Sequence, residues 1–120
     1  MRTNTVLGAV LAVVLLVNVA VGEMHMALTL LPLHVGLGAV AFATSVAYVY
    51  LGRKFRPALA LGVLLSVLTG LQGALGLTMW LYYVGNPVAT VHRFTGSATF
   101  LIGLVGGILV GRAARRAQGR

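Results

Sequence analysis

The sequence predicts an all-α integral membrane four-helix bundle, and three observations carry that prediction. Hydrophobic residues fill 59% of the 120 positions and charged residues only 8%, too few to coat a soluble domain of this size. The apolar residues come in four long blocks rather than in the rhythm of a half-buried element. Basic residues gather between and after those blocks. With a mean hydropathy of +0.99, most of the surface has lipid rather than water as its solvent. A chain of 120 residues forms one domain.

The blocks run over residues 6–22, 31–51, 58–80 and 88–111. A helix of about 20 residues crosses a hydrocarbon core of about 30 Å, and it satisfies its own backbone hydrogen bonds while doing so. Four strands cannot close a barrel, and the blocks lack the alternation that barrel strands show. The first block, with Arg2 ahead of it and Ala20-Val21-Gly22 at its end, also has the outline of a signal peptide; it is read as a retained spanning helix.

Charge placement predicts the orientation. Arg2, the Arg53, Lys54 and Arg56 group, and Arg112, Arg115, Arg116 and Arg120 fall on one side of alternating helices, with only Arg93 near the other. Positive segments stay cytoplasmic, so both termini are expected in the cytoplasm, with the chain multi-pass in the cell membrane. The net charge of +8 thus reports topology and contact with anionic membrane lipid. Nucleic acid is not an expected partner, since the polar and aromatic interleaving of such a surface is missing. The absence of cysteine excludes disulfides, iron–sulfur clusters and thioether haem attachment.

The two halves of the chain look alike. His34, Gly38 and Phe42 on the second block match His92, Gly96 and Phe100 on the fourth at a constant offset of 58 residues. Two repeat-related helical hairpins about a pseudo-twofold axis follow, unless two apolar helices simply share similar needs.

An ionisable side chain in a membrane segment is costly and marks a functional candidate. His34 and His92 lie at similar depth near the outer face, and a pair at matched height suggests one shared ligand. Haem fits, because neutral imidazole is a good axial ligand and two facing helices can clamp a ring between them. On that reading Gly38 and Gly96, one turn along the same face, leave room for the macrocycle, Phe42 and Phe100 floor the pocket, and Arg93 pairs with a propionate. The plainer alternative is an interfacial histidine bonded to water or a carbonyl. Zinc would ask for three or four ligands, and only Glu23 and His25 lie nearby.

Glu23 is the single acid of the chain. It is a weak catalytic candidate as a proton carrier; otherwise it bridges to Arg93 or marks a solvated turn. Met24 and Met26 are boundary residues or spare ligands. Asn18 and Gln72 are read as interhelical hydrogen-bonding groups that also have the chemistry to line a haem or quinone pocket. Gly103, Gly107 and Gly111 form a small-residue stripe, an internal seam or a face for a homo-oligomer, and Trp80, Tyr82 and Tyr83 an interfacial anchor. With one acid and no nucleophile–base arrangement, hydrolytic chemistry is not expected.

Leu71-Gln72-Gly73-Ala74-Leu75-Gly76 together with Pro87-Val88-Ala89-Thr90-Val91-His92 resembles the haem A synthase family, whose Gln-x-x-Leu-Gly signature the first run matches. That family has two related four-helix halves with haem-ligating histidines on the second and fourth helices, and nearly the whole chain is similar to one half. The resemblance implies axial-ligand roles for His34 and His92. Leu31 stands where the catalytic half carries a glutamate, and the outer-loop cysteine pair is absent, so the likeness is to the half that holds haem b. A four-helix b-type cytochrome with one bis-histidine haem b, passing electrons beside a respiratory oxidase or quinone-linked complex, is the leading expectation. A compact haem A synthase oxidising a haem methyl group and a haem-free accessory subunit are the alternatives.

Overall fold

The computed structural model describes residues 2–24, 30–82 and 86–118. His25, Met26, Tyr83 and Arg120, named above, lie outside the described residues. Within them the chain forms four helices: α1 Arg2–Glu23, α2 Leu31–Gly52, α3 Arg56–Tyr82 and α4 Asn86–Gln118. All four are long and apolar enough to cross a membrane.

The expected blocks match these helices closely, except that α4 runs seven residues past its predicted end at residue 111. Arg112, Arg115 and Arg116 end its hydrophobic run, but Ala and Arg are good helix formers, so the helix outlasts its apolar segment. At about 1.5 Å per residue, its 33 residues nearly account for the 54 Å long axis of the molecule.

α1 packs against α2 and α4, and α3 packs against the same two. α1 and α3 are therefore one diagonal of the bundle, and α2 and α4 the other. The connections are too short to return a chain along a helix at about 3.5 Å per residue, so neighbouring helices are antiparallel. That order puts the Arg53, Lys54 and Arg56 turn and the basic end of α4 at one end of the bundle. The starts of α2 and α4, with His34 and His92, lie at the other.

The tightest seam joins α2 to α3. Phe55 N–H donates to the Gly52 carbonyl at 2.8 Å and Ala58 N–H to the Phe55 carbonyl at 2.9 Å, closing the turn. A Cβ at Gly62 would lie 2.9 Å from the Val49 backbone nitrogen, so only glycine lets the two backbones approach this far. Leu11, Leu15, Leu65, Ala41, Tyr48 and Ala58 form the core. The buried hydroxyls of Ser45, Thr69 and Thr99 each donate to a carbonyl one turn back, at 2.8, 2.7 and 2.7 Å. A polar group thus sits in an apolar core without an unmet bond.

Large apolar side chains also cover much of the outer surface. Val6, Val13, Val46, Val63, Val67, Leu101, Val105 and Leu109 all point outward and exposed. So many exposed large apolar side chains are untenable in water for a soluble monomer and ordinary in hydrocarbon.

Candidate functional site

Each of the two histidines reaches inward from an even-numbered helix. His34 is in the first turn of α2 and His92 in the second turn of α4, and although these helices are diagonal, the two rings meet. Their centroids are 6.0 Å apart with the planes at 75°. The expectation that the imidazoles face each other across the bundle, rather than lipid, agrees with this geometry.

Each imidazole is buttressed by the odd-numbered helix of its own hairpin. His34 leans on α1 at Gly22, where a Cβ would come within 3.1 Å of the ring. That gap lets Nδ1 approach the Asn18 backbone carbonyl at 3.2 Å. A carbonyl only accepts, so Nδ1 carries the proton and donates it, leaving the Nε2 lone pair free. His92 leans on α3 at Gly76, where a Cβ would sit 3.4 Å from the ring. Here the partner is the Gln72 side-chain amide, one end of which lies 3.1 Å from Nδ1.

The same amides fill the spaces beside the two glycines expected to leave room for a macrocycle. A Cβ on Gly38 would meet the Asn18 amide nitrogen at 3.6 Å, and one on Gly96 the Gln72 amide oxygen at 3.3 Å. Gln72 also touches the Thr95 hydroxyl, which bonds to the Val91 carbonyl at 2.7 Å. The Asn18 Oδ1 atom is buried and has no hydrogen-bond partner among the described residues, a costly state for an amide oxygen. Asn18, His34, Gln72, His92 and Thr95 thus make a polar cluster inside an apolar bundle.

Other predicted residues lie around this cluster. Phe42 stacks on the α3 backbone at Gly70, where a Cβ would be 3.5 Å from its ring, and stays partly exposed; Phe100 packs against the core. Arg93 donates to Glu23 through Nε at 3.1 Å and Nη2 at 2.5 Å. Of the alternatives for Glu23, the bridge to Arg93 is therefore the one present, exposed at the histidine end of the bundle and beside an open groove lined by Thr90, Phe94 and Ser97. Among the described residues no three of His, Asp and Glu converge.

Sequence reasoning valued Asn18 and Gln72 chiefly as general hydrogen-bonding groups and missed Gly22 and Gly76. A signal was there. Asn18-xxx-Gly22 and Gln72-xxx-Gly76 stand 54 residues apart on the odd helices, alongside the His-xxx-Gly pairs on the even ones. No protein-family model matches the chain, and no curated protein or solved structure matches it either.

Proposed function

We propose that this protein is a four-helix membrane cytochrome b that binds one haem b through His34 and His92 and carries electrons. The observation that carries the reading is the spacing of the two imidazoles. An imidazole nitrogen binds a first-row metal at about 2.0–2.1 Å and lies about 1.1 Å from its ring centre, so two rings on one metal would have centres at most about 6.3 Å apart. The observed 6.0 Å is within a few tenths of an ångström of that value. The donor chemistry also fits: two imidazoles, and a carbonyl that keeps the His34 Nε2 lone pair available. Asn18 and Gln72 occupy the space beside Gly38 and Gly96, so the ring would lie against these amides and not against the glycines.

Haem b, when bound, supplies a one-electron carrier. The remaining work belongs to the chain. Leu15, Leu65 and Phe100 keep the interior dry, which limits solvent access and tunes the potential. The glycine at 22 lets the His34 imidazole seat against α1, and the His92 imidazole packs on α3 at Gly76. Arg93, paired with Glu23 through Nε and Nη2, is the cation at the histidine end, and its remaining guanidinium N–H groups could reach a propionate.

On this reading the basic end of the bundle is cytoplasmic by the positive-inside preference, with the histidines near the outer face. The two hairpins descend from one repeated unit. The paired contacts support this: His34 on Gly22 and His92 on Gly76, Asn18 against Gly38 and Gln72 against Gly96. The resemblance to one half of a haem A synthase points to the same ligands. An oxidative role would ask Glu23 to act at the cofactor, whereas its carboxylate is engaged with Arg93, so the carrier is preferred. A respiratory oxidase or quinone-linked complex is the partner class.

The test is spectroscopic. Protein purified in detergent is expected to give a b-type reduced-minus-oxidised spectrum and a haem b pyridine haemochrome, both lost in His34→Ala and in His92→Ala. A colourless preparation that takes up no added haemin would overturn the proposal.

A further inference from the structure

The two ligand positions are chemically unequal, and the difference lies in what faces Nδ1. At His34 it is a backbone carbonyl, which cannot turn round or be replaced by mutation. At His92 it is a primary amide, which presents either a donor or an acceptor. The amide has two settings. With nitrogen toward His92 it donates to Nδ1 at 3.1 Å and to the His92 carbonyl at 3.0 Å, while its oxygen accepts from Gly96 N–H at 3.1 Å and from the Thr95 hydroxyl. Every polar atom is then satisfied, but Nδ1 is an acceptor, so the ring proton resides on Nε2 and no lone pair faces the bundle.

In the other setting the amide oxygen faces Nδ1 and accepts its proton, which frees Nε2 to bind a metal. The nitrogen then donates to the Thr95 hydroxyl, which in turn donates a hydrogen bond to the Val91 carbonyl. This setting brings two oxygens, that of the amide and that of the His92 carbonyl, to 3.0 Å, an unfavourable contact. It wins only when something rewards the Nε2 lone pair.

We infer that Gln72 is a positioning residue that sets His92 as a ligand, holding it in the Nε2–H tautomer without metal and turning over to accept from Nδ1 when Nε2 binds iron. This rests on the cytochrome reading for its iron. His34 is the standing ligand and His92 the recruited one, so the order of engagement is built into the bundle.

The first measurement needs no haem. Nitrogen-15 NMR of histidine-labelled, haem-free protein in detergent, assigned with His25→Ala, His34→Ala and His92→Ala, is expected to show His34 as Nδ1–H and His92 as Nε2–H. Gln72→Met should abolish the His92 preference and leave His34 unchanged. Asn18→Ala should leave both unchanged, because the His34 partner is main chain. The second measurement is the midpoint potential of the haem-loaded protein. Gln72→Met should raise it, because a ligand that loses its Nδ1–H acceptor donates less charge to iron, and Gly8→Ala, whose added methyl would meet only Tyr48, should not.

Two Nδ1–H histidines in the wild type, or an unchanged potential in Gln72→Met, would overturn the inference while leaving the cytochrome intact. Opposite tautomers in a protein that takes up no haem would instead remove the cytochrome, and with it the ligand-setting role.

Discussion

The first hairpin and the second solve one problem with different materials. Each must hold an imidazole steady inside an apolar bundle. α1 and α2 do it with main chain: Gly22 opens a gap, and the Asn18 carbonyl receives His34. α3 and α4 do it with a side chain: the Gln72 amide, anchored on Thr95 and Gly96, receives His92. Main chain gives rigidity, whereas a side chain gives adjustability, so the same topology carries one fixed and one adjustable histidine. The spare polar atom lies in the first hairpin, where the Asn18 amide oxygen is left over.

The largest expected contrast comes from the glycines at 8 and 62, which stand 54 residues apart. A methyl at Gly62 would strike the Val49 backbone at 2.9 Å, whereas one at Gly8 meets only Tyr48 side-chain atoms at 3.8 Å. Gly62→Ala should destabilise the bundle by about 1–3 kcal/mol, the usual range for overpacking. Gly8→Ala should be neutral, as thermal unfolding in detergent would show. Equal effects would mean that the α2–α3 seam is no tighter than the packing of α1 on α2.

Next come the glycines beneath the histidines. Gly22→Ala crowds the His34 ring at 3.1 Å, while Gly76→Ala makes an ordinary contact with His92 at 3.4 Å. Haemin titration of the haem-free protein should show at least a roughly tenfold affinity loss, about 1.4 kcal/mol, for the first and little change for the second. A reversed order would assign the rigid seat to the wrong hairpin.

A smaller effect separates the two amides. Gln72→Leu removes interhelical hydrogen bonds, which average about 0.6 kcal/mol in a membrane bundle. Asn18→Leu removes an oxygen that is buried without a partner, and Leu is close to Asn in length, so stability should hold or rise. Chemical or thermal unfolding of the pair decides whether the leftover oxygen is a burden. The smallest effect is expected at the exposed ion pair of the histidine end. The Glu23–Arg93 pair is exposed, with side-chain accessibilities of 43% and 64%, and water screens such pairs. Glu23→Gln should leave the unfolding temperature unchanged at any salt concentration.

Much of this architecture was readable from residue order. Helix positions come from apolar block length, because hydrocarbon rewards any run of about 20 apolar residues almost regardless of detail. The inward pairing of His34 and His92 was readable from their repeated spacing with glycine and phenylalanine. The partners of their Nδ1 atoms were not. Asn18 and Gln72 read as equivalent amides, yet one meets its histidine with its main-chain carbonyl and the other with its side chain. That difference depends on how far each helix turns about its own axis and slides along its neighbour.

What the sequence determined by itself is therefore one-dimensional: four apolar segments, their order, the bias of positive charge toward one end, and two histidines at matching heights. Tertiary structure alone decided which groups surround each imidazole, that Gly38 and Gly96 look onto amides, and that Arg93 is joined to Glu23. The physical reason is the range of the forces involved. Burial of apolar surface is non-directional and sums along the chain. A hydrogen bond forms or fails within a few tenths of an ångström, and that margin is set only when four helices have found their mutual rotation.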